Sequence, residues 1–259
     1  MKNAGAASVV FAAALLGIVQ TIPAAAEFRT QSVDYKHGDT ALEGYLAYDD
    51  TISGKRPGVL LLHRRDGMTD LTRKNTEMVA KLGYIAFAPD IFGKAIRPKD
   101  VREMIEQSAI YNKDRPLMRA RAQAGFDVLR QNPMVDPARL AMVGYCFGGT
   151  VAVELAEVGV PVLGAVAIHG SFRDHAPDAA SNIKGRFLIL HGAEDPIAPL
   201  EEVNKLIKDF RAAKVDWQME LYGGAEHGFS KTPKNAAEER ANRLSQAAMV
   251  RFFSDIFGN

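Results

Sequence analysis

The chain has one cysteine, Cys146, in 259 residues, so no disulfide can form within it. It has almost no surplus of charge. Its 32 lysines and arginines against 31 aspartates and glutamates leave a net charge of +1. That balance argues against nucleic acid or anionic lipid as a bulk partner. No internal repeat, low-complexity tract or long block of like charge is present, and no HxxxH or paired-cysteine spacing marks a metal site. No linker interrupts the chain, so residues 27 to 259 are expected to form one domain. The composition, 47% hydrophobic and 24% charged, is that of an ordinary globular protein with enough apolar residues for one large core.

The amino terminus stands apart. Lys2 gives a short positive start, residues 5 to 20 (GAASVVFAAALLGIVQ) are apolar and small, and Ala24-Ala25-Ala26 precede Glu27. This is the layout of a secretory signal peptide, residues 1 to 26, with cleavage expected after Ala26. A membrane anchor usually needs about 20 apolar residues and different flanks. The expectation is therefore export to a periplasm or the exterior, with no membrane association after cleavage. Export normally favours disulfides. A leftover thiol in an exported protein is either paired with another molecule or chemically employed.

Beyond residue 27, short apolar runs alternate with helical patterns. Phe28 to Tyr35 and Leu42 to Tyr48 suggest an opening antiparallel pair. GVLLLH (58 to 63), GYIAFAPD (83 to 90), LAMVG, VLGAVAIHG and RFLILHG suggest buried strands, because continuous apolar runs suit a sheet covered on both faces. Helices are predicted over Met68 to Leu82, residues 115 to 131, Phe147 to Val158 and Glu201 to Ala213. VDWQMELY alternates, with Val215, Trp217, Met219 and Leu221 on one face of a strand. A last helix runs from about Asn235 to Ile256, with Leu244, Ala248, Phe252 and Ile256 at near-four spacing. The class is α/β: a mostly parallel sheet with helices on both faces and antiparallel strands at the amino end. Ligand sites in such sheets lie at the carboxyl ends of strands, which ranks the polar residues there above the others.

Cys146 follows LAMVG directly and precedes a helix, with Gly144 and Gly148 two positions to either side. This is the G-x-S-x-G elbow with sulfur in place of oxygen. A tight strand-to-helix turn leaves no room for a Cβ at the flanking positions. The turn also sets the sulfur at a helix amino terminus, which favours the thiolate. The alternative is a buried, inert thiol. A nucleophilic thiol needs a base, and the base an orienting acid. In this fold the order along the chain is nucleophile, acid, histidine. Asp195 lies four residues past His191 at a strand end, and His227 lies in a glycine-bearing loop after the last strand. Glu194 and Glu226 are rival acids; the Pro196 turn favours Asp195. His63, His169 and His191 each end a strand and have either loop hydrogen bonds or direct substrate contact open to them. His37 is expected to be solvated, and His175 lies in a polar loop.

These motifs resemble the dienelactone hydrolase family of alpha/beta hydrolases. The matching pieces are GYCFGG, LHGAEDPIAP, EHGF and GYIAFAPDIFG, spread over nearly all of residues 28 to 257. Cysteine in the elbow is the distinguishing mark, since most relatives in this fold use serine. The resemblance implies a Cys146–Asp195–His227 triad, an oxyanion hole from the backbone N–H groups of Phe147 and Arg65, a small ester or lactone as substrate, and no cofactor. It also exposes a departure. The best-studied members carry a glutamate where this chain has Arg64, which suggests that Arg64 or Arg65 holds Cys146 as thiolate. The other possibility is that both arginines face solvent or pair with Asp66 or Asp70. Lys231 stands where family members place a carboxylate-gripping arginine, so Arg64, Arg65 and Lys231 would make a basic mouth. Competing readings are a carboxylesterase-type or polymer- or peptide-acting enzyme on this fold, and a catalytically idle binding protein.

Overall fold

The computed structural model describes Met1, residues 28–173 and residues 176–258. The expected signal peptide and His175 lie outside the described residues. Within them the strands are β1 (Phe28–His37), β2 (Thr40–Asp49), β3 (Arg56–Leu62), β4 (Ile85–Ala88), β5 (Val135–Tyr145), β6 (Gly164–Ile168), β7 (Arg186–Gly192) and β8 (Trp217–Tyr222). They form one sheet in the order β1-β2-β4-β3-β5-β6-β7-β8. β1 pairs antiparallel with β2, and β2 with β4; every later pairing is parallel. The expected opening pair and mostly parallel sheet are therefore present.

The helices are α1 (Asp70–Ala80), α2 (Val101–Lys113), α3 (Arg115–Gln131), α4 (Phe147–Glu157), α5 (Leu200–Ala212) and α6 (Ala236–Phe257). They account for the unbroken apolar runs of the central strands. Along β3, Leu60 and Leu62 pack with α3 and α4, while Val59 and Leu61 face the side covered by α1 and α6. β5 repeats the division, with Leu140 and Met142 on one face and Ala141 and Val143 on the other. A strand covered twice needs an apolar residue at every position, so no period-2 pattern survives. α2 answers to no helix read from the sequence. It is capped by Asp100, whose carboxylate accepts from the Glu103 N–H at 2.9 Å, but it buries only Ser108 and Tyr111.

Two expected apolar faces are redrawn. On β8, Trp217 and Met219 pack against the core, but Leu221 is 48% exposed. On α6, the buried stripe runs through Ala241, Ser245, Ala248, Met249, Phe252, Phe253 and Phe257. Leu244, expected in that stripe, is 38% exposed. A 3.6-residue period drifts away from strict four-residue spacing, and the packed face follows the period. Replacing the fully buried Phe253 by alanine is expected to cost about 3–5 kcal/mol. Leu244→Ala should stay within about 0.5 kcal/mol. Urea unfolding midpoints of the two variants check this, and equal losses would contradict the packing described.

Candidate active site

Three carboxyl-terminal strand ends and their loops converge at Cys146. The residue stands between β5 and α4 with φ 54° and ψ −118°, a conformation that L-residues rarely adopt. Two close approaches account for the glycines around it. A Cβ on Gly144 would lie 1.9 Å from the Gly148 carbonyl oxygen, and one on Gly148 would lie 2.1 Å from the Leu62 carbonyl oxygen at the end of β3. The bend is fixed by the Cys146 N–H donating to Ile168 O on β6 at 3.0 Å and the Gly149 N–H donating to Cys146 O at 2.8 Å. Cys146 is half-buried and lines the cleft.

The loop after β7 supplies Asp195 and the loop after β8 supplies His227. Asp195 is buried. Its Oδ1 accepts from the N–H groups of Ile197 and Ala198, both at 2.9 Å, and its Oδ2 accepts from His227 Nδ1 at 2.8 Å. An ionised carboxylate only accepts, so Nδ1 carries the proton and Nε2 faces the sulfur at 3.1 Å. Glu194 is exposed, and Glu226 pairs with Lys234 at 2.8 Å, so neither rival reaches the imidazole.

The electrostatics favour an ion pair. Burial alone would push the Cys146 thiol up. The hydrogen bond and charge of His227, the Phe147 N–H and the charge of Arg65 outweigh it and bring the thiol below its ordinary value. Burial disfavours the imidazolium, yet its bonds to Asp195 and to Cys146 raise His227 to about 9. Burial likewise opposes the charge of Asp195, but His227 and the Ala198 N–H keep the carboxyl below its usual range.

The other strand-end histidines are buried, and burial lowers the pKa of each, favouring the neutral ring. His63 Nδ1–H donates to Arg64 O at 2.7 Å while its Nε2 accepts from the Ile91 N–H at 3.2 Å, tying two strand-end loops together. His191 Nε2–H donates to Ala198 O at 2.8 Å and so props the acid loop. His169 lies edge-on to His227 with ring centroids 5.1 Å apart, and its Nε2 is 2.7 Å from Ser230 Oγ.

The basic residues divide sharply. Arg64 is buried, 4% exposed, with its guanidinium 4.6 Å over the Tyr145 ring and Nη2 donating to Ser230 Oγ at 3.1 Å. No carboxylate lies in ion-pair contact with it among the described residues; burial lowers its pKa, and the charges of Tyr145, Asp66 and Cys146 oppose that shift. Lys231 Nζ is bonded to Asp66 at 2.8 Å, so this cation already has a protein partner. Arg64, Arg65 and Lys231, expected to form a basic mouth, all line one cavity beside the sulfur, but Arg64 is buried and Lys231 is paired, while Arg65 has no carboxylate in ion-pair contact among the described residues. The backbone N–H groups of Phe147 and Arg65 have no backbone acceptor among the described residues. The roles of Tyr145 and Ser230 escaped the sequence reading, although Tyr145 lies within GYCFGG and Ser230 follows EHGF, because both act through contacts between distant segments.

Two cavities of about 300 Å³ each meet at Cys146, His227 and Arg65. One is bounded by Arg64, Asp66, Val101, Met104, Lys231 and Lys234, the other by Ser108, Asn112, Arg115, Thr150, Ser171 and Arg173. Among the described residues, no group of three or more His, Cys, Asp or Glu is arranged to hold a metal ion.

The pattern of the dienelactone hydrolase family matches residues 42–257. The chain belongs to the dienelactone hydrolase family. It is similar to a crystal structure of a dienelactone hydrolase-like promiscuous phosphotriesterase from metagenomic libraries, at 33% identity and a TM-score of 0.83, covering 89% of this chain and 99% of that one. Among curated proteins, it is 26% identical over 211 residues to Protein usf of Aquifex pyrophilus, covering 77% of this chain and 86% of that protein. A mouse carboxymethylenebutenolidase homolog is 24% identical over 159 residues, 61% of this chain and 64% of that protein. The fold is accordingly that of the alpha/beta hydrolases, and the chain is a dienelactone hydrolase-like hydrolase.

Alkylation of Cys146 by iodoacetamide should follow the thiolate fraction. A depressed thiol moves the rise in rate to lower pH, so the midpoint should fall below the free-thiol value of about 8.5. His227→Asn removes the main opposing influence and should move that midpoint upward. Stopped-flow alkylation across pH measures both, and a wild-type midpoint at or above the free-thiol value would contradict the ion pair.

Proposed function

We propose that the protein hydrolyses carboxylic ester or lactone bonds through an acyl-enzyme on Cys146. The observation that carries this reading is the continuous hydrogen-bonded line from Asp195 through His227 to Cys146, at 2.8 and 3.1 Å, opening on a cleft. An idle binding protein has no use for such an alignment or for the strained backbone that presents the sulfur.

The steps follow from where the protons sit. The Cys146 thiolate attacks the carbonyl carbon, and the carbonyl oxygen takes the negative charge. The N–H groups of Phe147 and Arg65 stabilise that oxyanion; one such donor is typically worth about 3 kcal/mol. The tetrahedral intermediate collapses, the alkoxide leaves, and His227 Nε2 gives it a proton. A thioester and a neutral imidazole remain. His227 then takes a proton from water, hydroxide attacks the thioester carbon, and the thiolate departs as the acid is released. The imidazolium–thiolate pair is restored. Asp195 holds the ring in the Nδ1–H tautomer and stabilises its charged form throughout. No step calls for a cofactor.

Arg64 completes the resting state. A buried guanidinium without a carboxylate in contact is costly unless another negative charge offsets it. In this reading Asp66 supplies part of that charge and the Cys146 thiolate adds to it before substrate arrives.

Brief mixing with a panel of esters and lactones should leave an acyl group on Cys146, detectable by intact-protein mass spectrometry. A burst of p-nitrophenol from an activated ester should vanish in Cys146→Ala, with a steady-state loss of at least about a thousandfold. A burst that survives the substitution would remove Cys146 from the chemistry. We also propose that the enzyme works outside the cytoplasm, on the strength of the amino-terminal segment. Sequencing of the protein recovered from a secreting host should begin at Glu27; a chain still starting at Met1 in the cytoplasm would contradict it.

A further inference from the structure

Helix α2 borders both cavities, with four residues of one face. Val101 and Met104 line the first, and Ser108 and Asn112 line the second. Their spacings of three, four and four residues keep them in one row on the helix. Eleven residues at 1.5 Å each carry that row about 16 Å across the mouth. Along it the chemistry changes from hydrocarbon to hydroxyl and amide.

The two cavities differ in what they leave available. In the first, Lys231 is matched by Asp66 and Lys234 by Glu226, each at 2.8 Å, and Arg64 is stacked on Tyr145. An anionic substrate arm there would have to displace a carboxylate already in place. Beyond Arg65, which both cavities share, and Thr232, this cavity offers the apolar surface of Val101 and Met104, and Val101 is 58% exposed. In the second, the Asn112 amide has no protein partner among the described residues. The hydroxyls of Thr150 and Ser171 donate away, to Ser171 O at 2.7 Å and Glu202 Oε2 at 3.0 Å, so their lone pairs remain free to accept.

We propose that α2 is the specificity element of the site: it sorts the two arms of the scissile carbonyl, taking a neutral apolar arm at Val101 and Met104 and a hydrogen-bonding arm at Ser108 and Asn112. This rests on the ester hydrolase reading and narrows its substrate class to esters and lactones that are apolar on one side of the reacting carbon and polar on the other. The basis is desolvation. An apolar arm gains from covering Val101 and Met104, whereas an anionic arm placed there must compete with Asp66 and Glu226 for the lysines.

The test uses four esters made from two acids and two alcohols: butyl pentanoate, butyl glycolate, 2-hydroxyethyl pentanoate and 2-hydroxyethyl glycolate. At least one of the two mixed esters should exceed both unmixed ones in kcat/KM by about tenfold or more. Met104→Glu should collapse that preference mainly through KM, and Asn112→Leu should raise butyl pentanoate relative to the mixed esters. Alkylation of Cys146 by iodoacetamide confirms that each variant keeps its reactive centre. Equal kcat/KM on all four esters, or a preference untouched by both substitutions, overturns this inference while leaving the hydrolase reading intact. Hydrolysis of none of the four overturns that reading as well.

Discussion

The site depends on how closely three backbone segments approach one another. The end of β3, the end of β5 and the first turn of α4 meet where Gly144 and Gly148 allow contact that a single methyl group would block. That contact holds Cys146 in its left-handed bend. It raises the sulfur above the sheet and sets the Phe147 N–H beside it. The strain of the bend, of order 1–3 kcal/mol, is tolerated because strands on both sides of β5 leave the turn no alternative path. The chemistry is thus a property of the sheet, expressed at one residue.

Around that bend the charges are arranged in depth. Asp195 is fixed by two backbone donors, and it fixes His227, which faces the sulfur. Beneath them His191, His63 and His169 act as uncharged struts rather than as acids or bases. Arg64 lies under the same surface, joined through Ser230 to the loop that carries His227. The guanidinium thereby ties the end of β3 to the histidine loop.

The fold was legible wherever one physical cause dominated the residue choice. Strands covered on both faces must be apolar throughout, so β3, β5, β6 and β7 stand out as runs. The elbow was legible because sterics leave only glycine at 144 and 148. Asp195 and His227 could be picked because the topology fixes which loops open beside the sulfur. α2 was not legible: a helix that turns its apolar residues toward a cleft lacks the buried stripe by which helices are recognised, although Asp100 and Glu103 mark its start. The partners of Arg64 and Lys231 were beyond reach for another reason. Ser230 lies 166 residues from the first and Asp66 lies 165 from the second, and no periodicity reports such pairings. On α6 the stripe was placed through Leu244 because strict four-residue spacing was followed past the point where the helix had rotated away from it.

Because α2 buries so little, most of its cleft-facing row is nearly uncoupled from folding. Substitutions at 101, 104 and 112 touch neither the strained turn nor the hydrogen-bonded line behind it. A lineage could therefore exchange one diet of molecules for another by changing a few solvent-side residues on this single rod. The bond-breaking apparatus, locked into the sheet, would be inherited unaltered.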